Sequence, residues 1–141
     1  MKGADGLKIV IPIKPKPQSR PRFTKHRKTP YEESAMKAYK NAVKYHAMST
    51  RPLLIEKGPV VVDVCFFVYP PAYISKVKKN RALLQDETMY CDKKPDIDNY
   101  FKAVTDAING ILYKDDGQIA VSICRKVYSF NPRTEIEINP L

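Results

Sequence analysis

At 141 residues, with 43% hydrophobic side chains, the chain is long enough to bury one core, and its formal net charge of +10 favours a polyanionic partner, nucleic acid before an anionic membrane surface. Three cysteines with no C-x-x-C pair and two distant histidines, His26 and His46, argue against a disulfide framework and a structural zinc site. Five glycines and no phosphate-cradling loop argue against an ATPase or any nucleotide cofactor.

The N-terminal MKGADGLKIVIPIKP has too short an apolar run for a signal peptide, and no later segment approaches a membrane span. A reduced, cytoplasmic setting without a membrane partner is expected. Leu7 to Ile13 (LKIVIPI) is β-rich and breaks at Lys14-Pro15, and Pro12 places it near a sheet edge. Residues 14–30 interleave proline with lysine and arginine, which predicts an extended, exposed basic loop. Tyr31 to Ser49 reads as a helix, with Ala35, Met36, Tyr39, Val43 and Ala47 at three- to four-residue spacing. Val60 to Tyr69 (VVVDVCFFVY) is apolar enough for a central strand, which Pro70-Pro71 stops. Ser75 to Gln85 predicts a short basic helix capped by Ser75, followed by a loop from Asp86 to Pro95.

Asp96 to Asn109 predicts a helix with an apolar stripe of Ile97, Phe101, Val104 and Ile108 that continues to Ile111, closed by Asn109-Gly110. Asp115-Asp116-Gly117 makes a turn, and Ile119, Val121, Ile123 and Val127 alternate through a strand. Asn131-Pro132 then turns the chain so that Thr134 to Ile138 closes a hairpin. Cys65 and Cys124 lie in apolar runs and read as small core residues. The order β-α-β-α-α-β-β over a single domain, residues 1–141, predicts an α+β fold, a small mixed β-sheet with helices packed on it.

The chemistry concentrates in KKPDIDNYFK. Asp96 and Asp98 are one residue apart, where like charges repel unless something positive lies between them. Side chains two apart on a helix do not face each other, so the pair converges only if Asp96 stands at the helix start, as Pro95 suggests. A plain structural role is available. Aspartate is a favoured N-cap, worth about 1 kcal/mol, and an acid in the first turn adds roughly 0.3–1 kcal/mol against the helix dipole.

Three features favour chemistry instead. Asp98, Lys102, Asp106 and Asn109 share one helical face opposite the apolar stripe. Tyr113-Lys114-Asp115-Asp116 brings a second acidic pair just after the helix. Carboxylates are hard oxygen ligands that suit Mg²⁺ or Mn²⁺, and inside a basic protein they match the needs of metal-dependent phosphodiester cleavage. Asp96, Asp98 and one of Asp115 and Asp116 are the candidate metal ligands. Lys102 is a candidate to neutralise the scissile phosphate or protonate the leaving group, its plainer role being an i,i+4 pair with Asp98. Asp106, and Asn99 beside Asp98, are expected to support the ligands from behind.

KKPDIDNYFKAVTDAINGILYKDDGQI resembles the signature of the RusA family of Holliday-junction resolvases, found in bacteria and their phages. The matching elements are Asp96, Asp98 and Asn99, then Lys102, then Asp106-Ala107, then Asp115-Asp116, and IPIKPKPQSRPRF is similar to the family's early P…R-P-R segment. The resemblance implies a homodimeric, Mg²⁺-dependent endonuclease that nicks four-way DNA junctions. It also implies Asp96, Asp98 and Asp116 as essential acids and Lys102 as a required lysine. Pro70 to Cys91 departs from the family pattern.

A four-way junction has approximate two-fold symmetry, which a dimer matches, and its recognition rests on shape and phosphates. Lys14, Lys16, Arg20, Arg22, Lys25, Arg27 and Lys28 are the candidate DNA contacts, while Phe23 and Tyr31 are expected in the core rather than stacked on bases. Two rival readings remain open at this point. One is a non-catalytic DNA-binding module whose acids only cap a helix and a turn, and the other is a metal-dependent nuclease for other branched or single-stranded DNA.

Overall fold

The most apolar stretch of the chain takes the centre of the sheet. In the computed structural model, which describes residues 7–18, 22–24, 27–31 and 34–141 (22–24 and 27–31 as backbone), the sheet has four strands. They are β1 (Leu7–Ile11), β4 (Val60–Val68), β5 (Ile119–Tyr128) and β6 (Arg133–Pro140), in the order β1-β6-β4-β5. β4 runs parallel to β5 and antiparallel to β6, and β6 is antiparallel to β1. The sheet is therefore mixed and the domain α+β, with β1 at an edge.

Alternation decides which face is covered. Val60, Val62, Val64 and Phe66 of β4 point to the same side as Ile136 and Ile138 of β6 and Ile9 and Ile11 of β1, and all are buried. Two helices cover that side. α1 (Ser34–Ser49) contributes Met36, Tyr39, Val43 and Ala47. α4 (Ile97–Ile108) contributes Tyr100, Ala103, Val104, Ala107 and Ile108. The small Ala103 and Ala107 let α4 lie close, and Tyr100 stacks on Phe66 with ring centroids 5.2 Å apart. No helix among the described residues is long and apolar enough to cross a membrane.

Four expectations about the elements need correction. Residues 14–30 are not a continuous loop: β2 (Arg22–Thr24) and β3 (Arg27–Tyr31) form a separate antiparallel pair, tolerant of Pro30 because each strand has a free edge. Tyr31 thus belongs to a strand, and α1 starts at Ser34. The helix expected from Ser75 is broken into α2 (Ala72–Ser75), a 3₁₀ turn (Lys78–Asn80) and α3 (Arg81–Asp86). α2 opens directly after Pro71, whose extended backbone (φ −67°, ψ 160°) makes it the N-cap, so Ser75 ends a helix rather than capping one.

Lastly, β5 and β6 do not form a hairpin. The Ser129 amide donates to the Val68 carbonyl at 2.9 Å, so the connection passes over the end of β4 and β6 pairs on its far side. Cys65 is buried as expected, but Cys124 is only half-buried. Burial pushes both thiols up to about 11, which leaves them protonated and poor nucleophiles.

The segment from Pro70 to Cys91 is anchored at its far end. Leu84 is fully buried against Tyr128 and Cys91. The Arg133 guanidinium donates to both Glu87 oxygens, at 2.7 and 3.0 Å, while lying over the Phe67 ring. The Arg133 hydrogen bonds hold the Glu87 carboxyl below its ordinary value. A lowered folded-state value stabilises the fold above the unfolded value, about 4.3, and that stabilisation fades as pH falls through the folded value. Wild type should therefore melt above Glu87→Gln at pH 7, and the two should converge in melting scans taken at progressively lower pH. A gap that persists unchanged at pH 2 would show that the carboxylate charge is not what holds this segment.

Candidate active site

Pro95 and the extended backbone of Asp96 (φ −66°, ψ 144°) place Asp96 at the N-cap of α4 and Asp98 in the first turn, as the sequence implies. At such a position an aspartate normally accepts a backbone N–H. Here the Asp96 carboxylate makes no capping bond. Neither carboxylate has a hydrogen bond or ion pair among the described residues. Both open onto one cavity of about 560 Å³, whose other walls are Tyr90, Cys91, Ile97, Cys124, Arg125 and Lys126.

The loop that presents the pair is tied from the sheet. Lys126 sits beside Phe66 in register, on the face that the helices cover. A lysine there has to find oxygen partners, and its Nζ donates to the Lys93 carbonyl and, at 2.7 Å, to the Pro95 carbonyl. The Cys91 amide donates to the Lys126 carbonyl at 2.9 Å. The residues just before Asp96 are thus clamped to β5. Arg125 on the opposite face pairs with Asp63 at 3.0 Å and reaches the cavity rim.

The basic N-terminal segment arrives at the same place. The Gln18 amide donates to the Asn99 carbonyl at 2.9 Å, which fixes residues 14–18 against the first turn of α4. Asn99 thus meets the basic segment through its backbone carbonyl. Of the candidate DNA contacts, Lys14 and Lys16 line a groove next to Pro95 and Tyr100. Arg20 and Lys25 lie outside the described residues, and the side chains of Arg22, Arg27, Lys28, Phe23 and Tyr31 do too.

Lys102 is exposed and does not pair with Asp98. Its partner is Asp106, one turn further along, at 3.6 Å. Asp106 also takes Lys40 of α1 at 3.4 Å. Two cations on one carboxylate explain why Asp106 draws Lys102 away from the more exposed Asp98.

The two acids after α4 divide their work. Asp115 is a cap: its Oδ2 accepts the Gly117 amide at 3.0 Å, and its own amide donates to Gln118 Oε1. A Cβ at Gly117 would stand 2.9 Å from that oxygen and push the capping carboxylate aside. Gln118 anchors the turn to the Ile55 and Gly58 carbonyls. Asp116 is left for other duty. Its Oδ1 accepts a 2.8 Å hydrogen bond from the buried Tyr113 hydroxyl, which also lies 3.4 Å from the Thr105 carbonyl of α4. Burial first, and the neighbouring Asp116 second, hold the Tyr113 phenol far above its ordinary value, so it remains a donor.

The four acids are not gathered into one cage. Among the described residues no three carboxylate, histidine or cysteine side chains stand close enough to hold an ion together. Asp96 and Asp98 converge on the cavity, and Asp116 is held separately by Tyr113, whose hydroxyl lies beside Thr105 in the C-terminal half of α4. Two unpartnered carboxylates fit a small hard dication, which takes one or two carboxylates and fills its other positions with water and phosphate oxygens. Tyr90, Tyr113, Arg125 and Lys126 are site residues that periodicity alone passes over. Lys126 gave no signal, because the alternation of Val121, Ile123 and Val127 puts it on the solvent phase; the structure reverses that phase, with Lys126 on the covered face and Val121 and Ile123 exposed.

A family model described as Endodeoxyribonuclease RusA matches residues 12–139. The chain is also 35% identical over 139 residues to the Bacillus subtilis (strain 168) protein named Uncharacterized protein YqaN, covering 95% of this chain and 96% of that one.

Proposed function

The chain belongs to the RusA endodeoxyribonuclease family, and on that premise we propose that it is a Mg²⁺-dependent nuclease that nicks four-way DNA junctions as a homodimer, in recombination and repair. The observation that carries this reading is Asp96, which occupies a capping position without capping and opens beside Asp98 onto a cavity with cationic walls. A cap-only role leaves that orientation without a cause.

In this reading Asp96 and Asp98 would hold Mg²⁺, with Mn²⁺ as a substitute, and Asp116 would be the further acid of the site. Held there, the ion would supply a polarised water and a counter-charge for the leaving oxygen. Arg125 borders the cavity from the far face of β5 and would have to leave Asp63 to take a phosphate oxygen there. Lys102, steadied by Asp106, presents its ammonium on the same helical face as Asp98, ready to neutralise the phosphate or give a proton to the leaving group. Lys126 holds the acid loop in place. Lys14 and Lys16, with the other basic residues of the 14–30 segment, contact the DNA backbone.

The test is cleavage of an end-labelled four-way junction beside a linear duplex of the same sequence, with Mg²⁺ or EDTA. Paired nicks on opposed strands, on the junction only and with metal only, are expected. Tight junction binding without a cut in any divalent metal would reduce the protein to a binding module. Affinity should also fall steeply with salt, with log K linear in log [salt] at a slope of about −0.9 per phosphate contact. An affinity indifferent to salt would remove the basic segment as a DNA clamp.

A further inference from the structure

The cavity holding Asp96 and Asp98 is one end of a run of grooves. It shares Cys91 with a groove of about 420 Å³ lined by Tyr69, Tyr73, Lys93 and Lys94 among others. That groove shares Val68 and Tyr69 with a third, of about 620 Å³, flanked by Lys14 and Lys16. Three tyrosines mark the run, and all are well exposed: Tyr69 at 54%, Tyr73 at 64% and Tyr90 at 69%. A single exposed ring needs no explanation. Three rings in adjoining grooves do, when the lysines between them have no carboxylate partner among the described residues.

Alternating aromatic faces and free cations are the chemistry that holds an unpaired nucleic acid strand, each base stacking on a ring and each phosphate meeting an ammonium. Duplex DNA cannot use such rings, because its bases already stack on one another and show only their edges. The surface is also rigid. Two of the three rings come from Pro70 to Cys91, which the buried Leu84, the Arg133–Glu87 pair and the Tyr128-to-Met89 backbone bond fix to the sheet. A platform already in place loses little entropy on binding.

We propose that this run of grooves, from Lys14 and Lys16 past Tyr69 and Tyr73 to Tyr90, binds a single unpaired DNA strand and leads its backbone to the Asp96–Asp98 cavity. The proposal deepens the nuclease reading, since it makes an opened strand at the branch point the segment presented for cutting. Its test does not depend on cutting. In EDTA, full-length protein is titrated by fluorescence anisotropy against a labelled oligothymidine and against a blunt duplex. A parallel titration uses an oligonucleotide carrying 2-aminopurine, whose emission is quenched by stacking.

Tyr73→Ala and Tyr90→Ala should each weaken single-strand binding by on the order of 5- to 150-fold, reduce the quenching, and leave duplex affinity unchanged. Tyr73→Phe and Tyr90→Phe, which keep the ring, should bind as wild type does. Both rings are exposed, so their removal leaves the core intact. Alanine variants that bind the single strand like wild type, or that lose single strand and duplex equally, would overturn the proposal. If no branched DNA is ever cut but this pattern holds, the nuclease reading fails and the strand site stands; if cutting occurs without it, the reverse is true.

Discussion

Asp98→Asn is expected to reduce junction cleavage by at least about 10²- to 10³-fold, the scale of removing a group that acts on the charge of the transition state. Junction affinity should hold or rise, since the change removes a negative charge from a cavity walled by Arg125 and Lys126. Asp96→Asn should do the same to cleavage, and the stability of Asp96→Ala separates the two roles open to Asp96. A capping aspartate costs roughly 0.5–2 kcal/mol when replaced by alanine. The Asp96 side chain makes no capping bond, so Asp96→Ala should lose no more than a dipole contribution, roughly 0.3–1 kcal/mol. Asp98 lies in the first turn, and its loss should cost only the dipole contribution, roughly 0.3–1 kcal/mol. Gel assays of cleavage, anisotropy with the same junction and thermal melts give all three readouts. Retained cleavage in Asp98→Asn would take the pair out of the chemistry, and a loss of about 2 kcal/mol in Asp96→Ala would return Asp96 to the role of a cap.

The features legible in the sequence were those set by local rules. The start of α4 follows from Pro95 and the apolar stripe behind Asp98, and the centrality of β4 follows from a run with no solvent-facing phase. Features decided by distant partners were hidden. β6 reads as half of a hairpin because its neighbour in sequence is β5, yet its alternating Ile136 and Ile138 fit equally well beside β4, and only the Ser129–Val68 bond across the strand end decides between them. The β2–β3 pair has too few apolar residues to signal a strand by alternation. At the site, the capping box of Asp115 is written locally in D-D-G-Q, but the i,i+4 rule could not choose between Asp98 and Asp106 for Lys102. Lys40, arriving from α1, gives Asp106 a second cation.

Tyr113→Phe removes one oxygen atom and separates orientation from ligation. The ring stays buried and the core volume hardly changes, but the hydroxyl that fixes Asp116 Oδ1 at 2.8 Å is gone. Asp116 is half-exposed, so water can replace the lost donor, and the stability cost should be near the lower end for a hydrogen bond, about 0.5 kcal/mol. Hydrogen-bond partners of metal ligands typically contribute 10- to 100-fold to metal affinity or activity. If Asp116 completes the metal site on DNA, the Mg²⁺ concentration for half-maximal cleavage should rise by about that factor, with much of the rate recovered at high Mg²⁺. Calorimetric titration of Ca²⁺, which takes the same carboxylate oxygens without supporting the cut, into the junction complex should show the same weakening without reference to rate. A purely structural tyrosine predicts a different pattern: a lower melting temperature and an unchanged metal midpoint. Asp116→Asn should remove the difference, because Tyr113→Phe in that background has no carboxylate left to aim. A midpoint that moves equally in both backgrounds would place the effect of Tyr113 in the packing under α4 and leave Asp116 without an orienting partner.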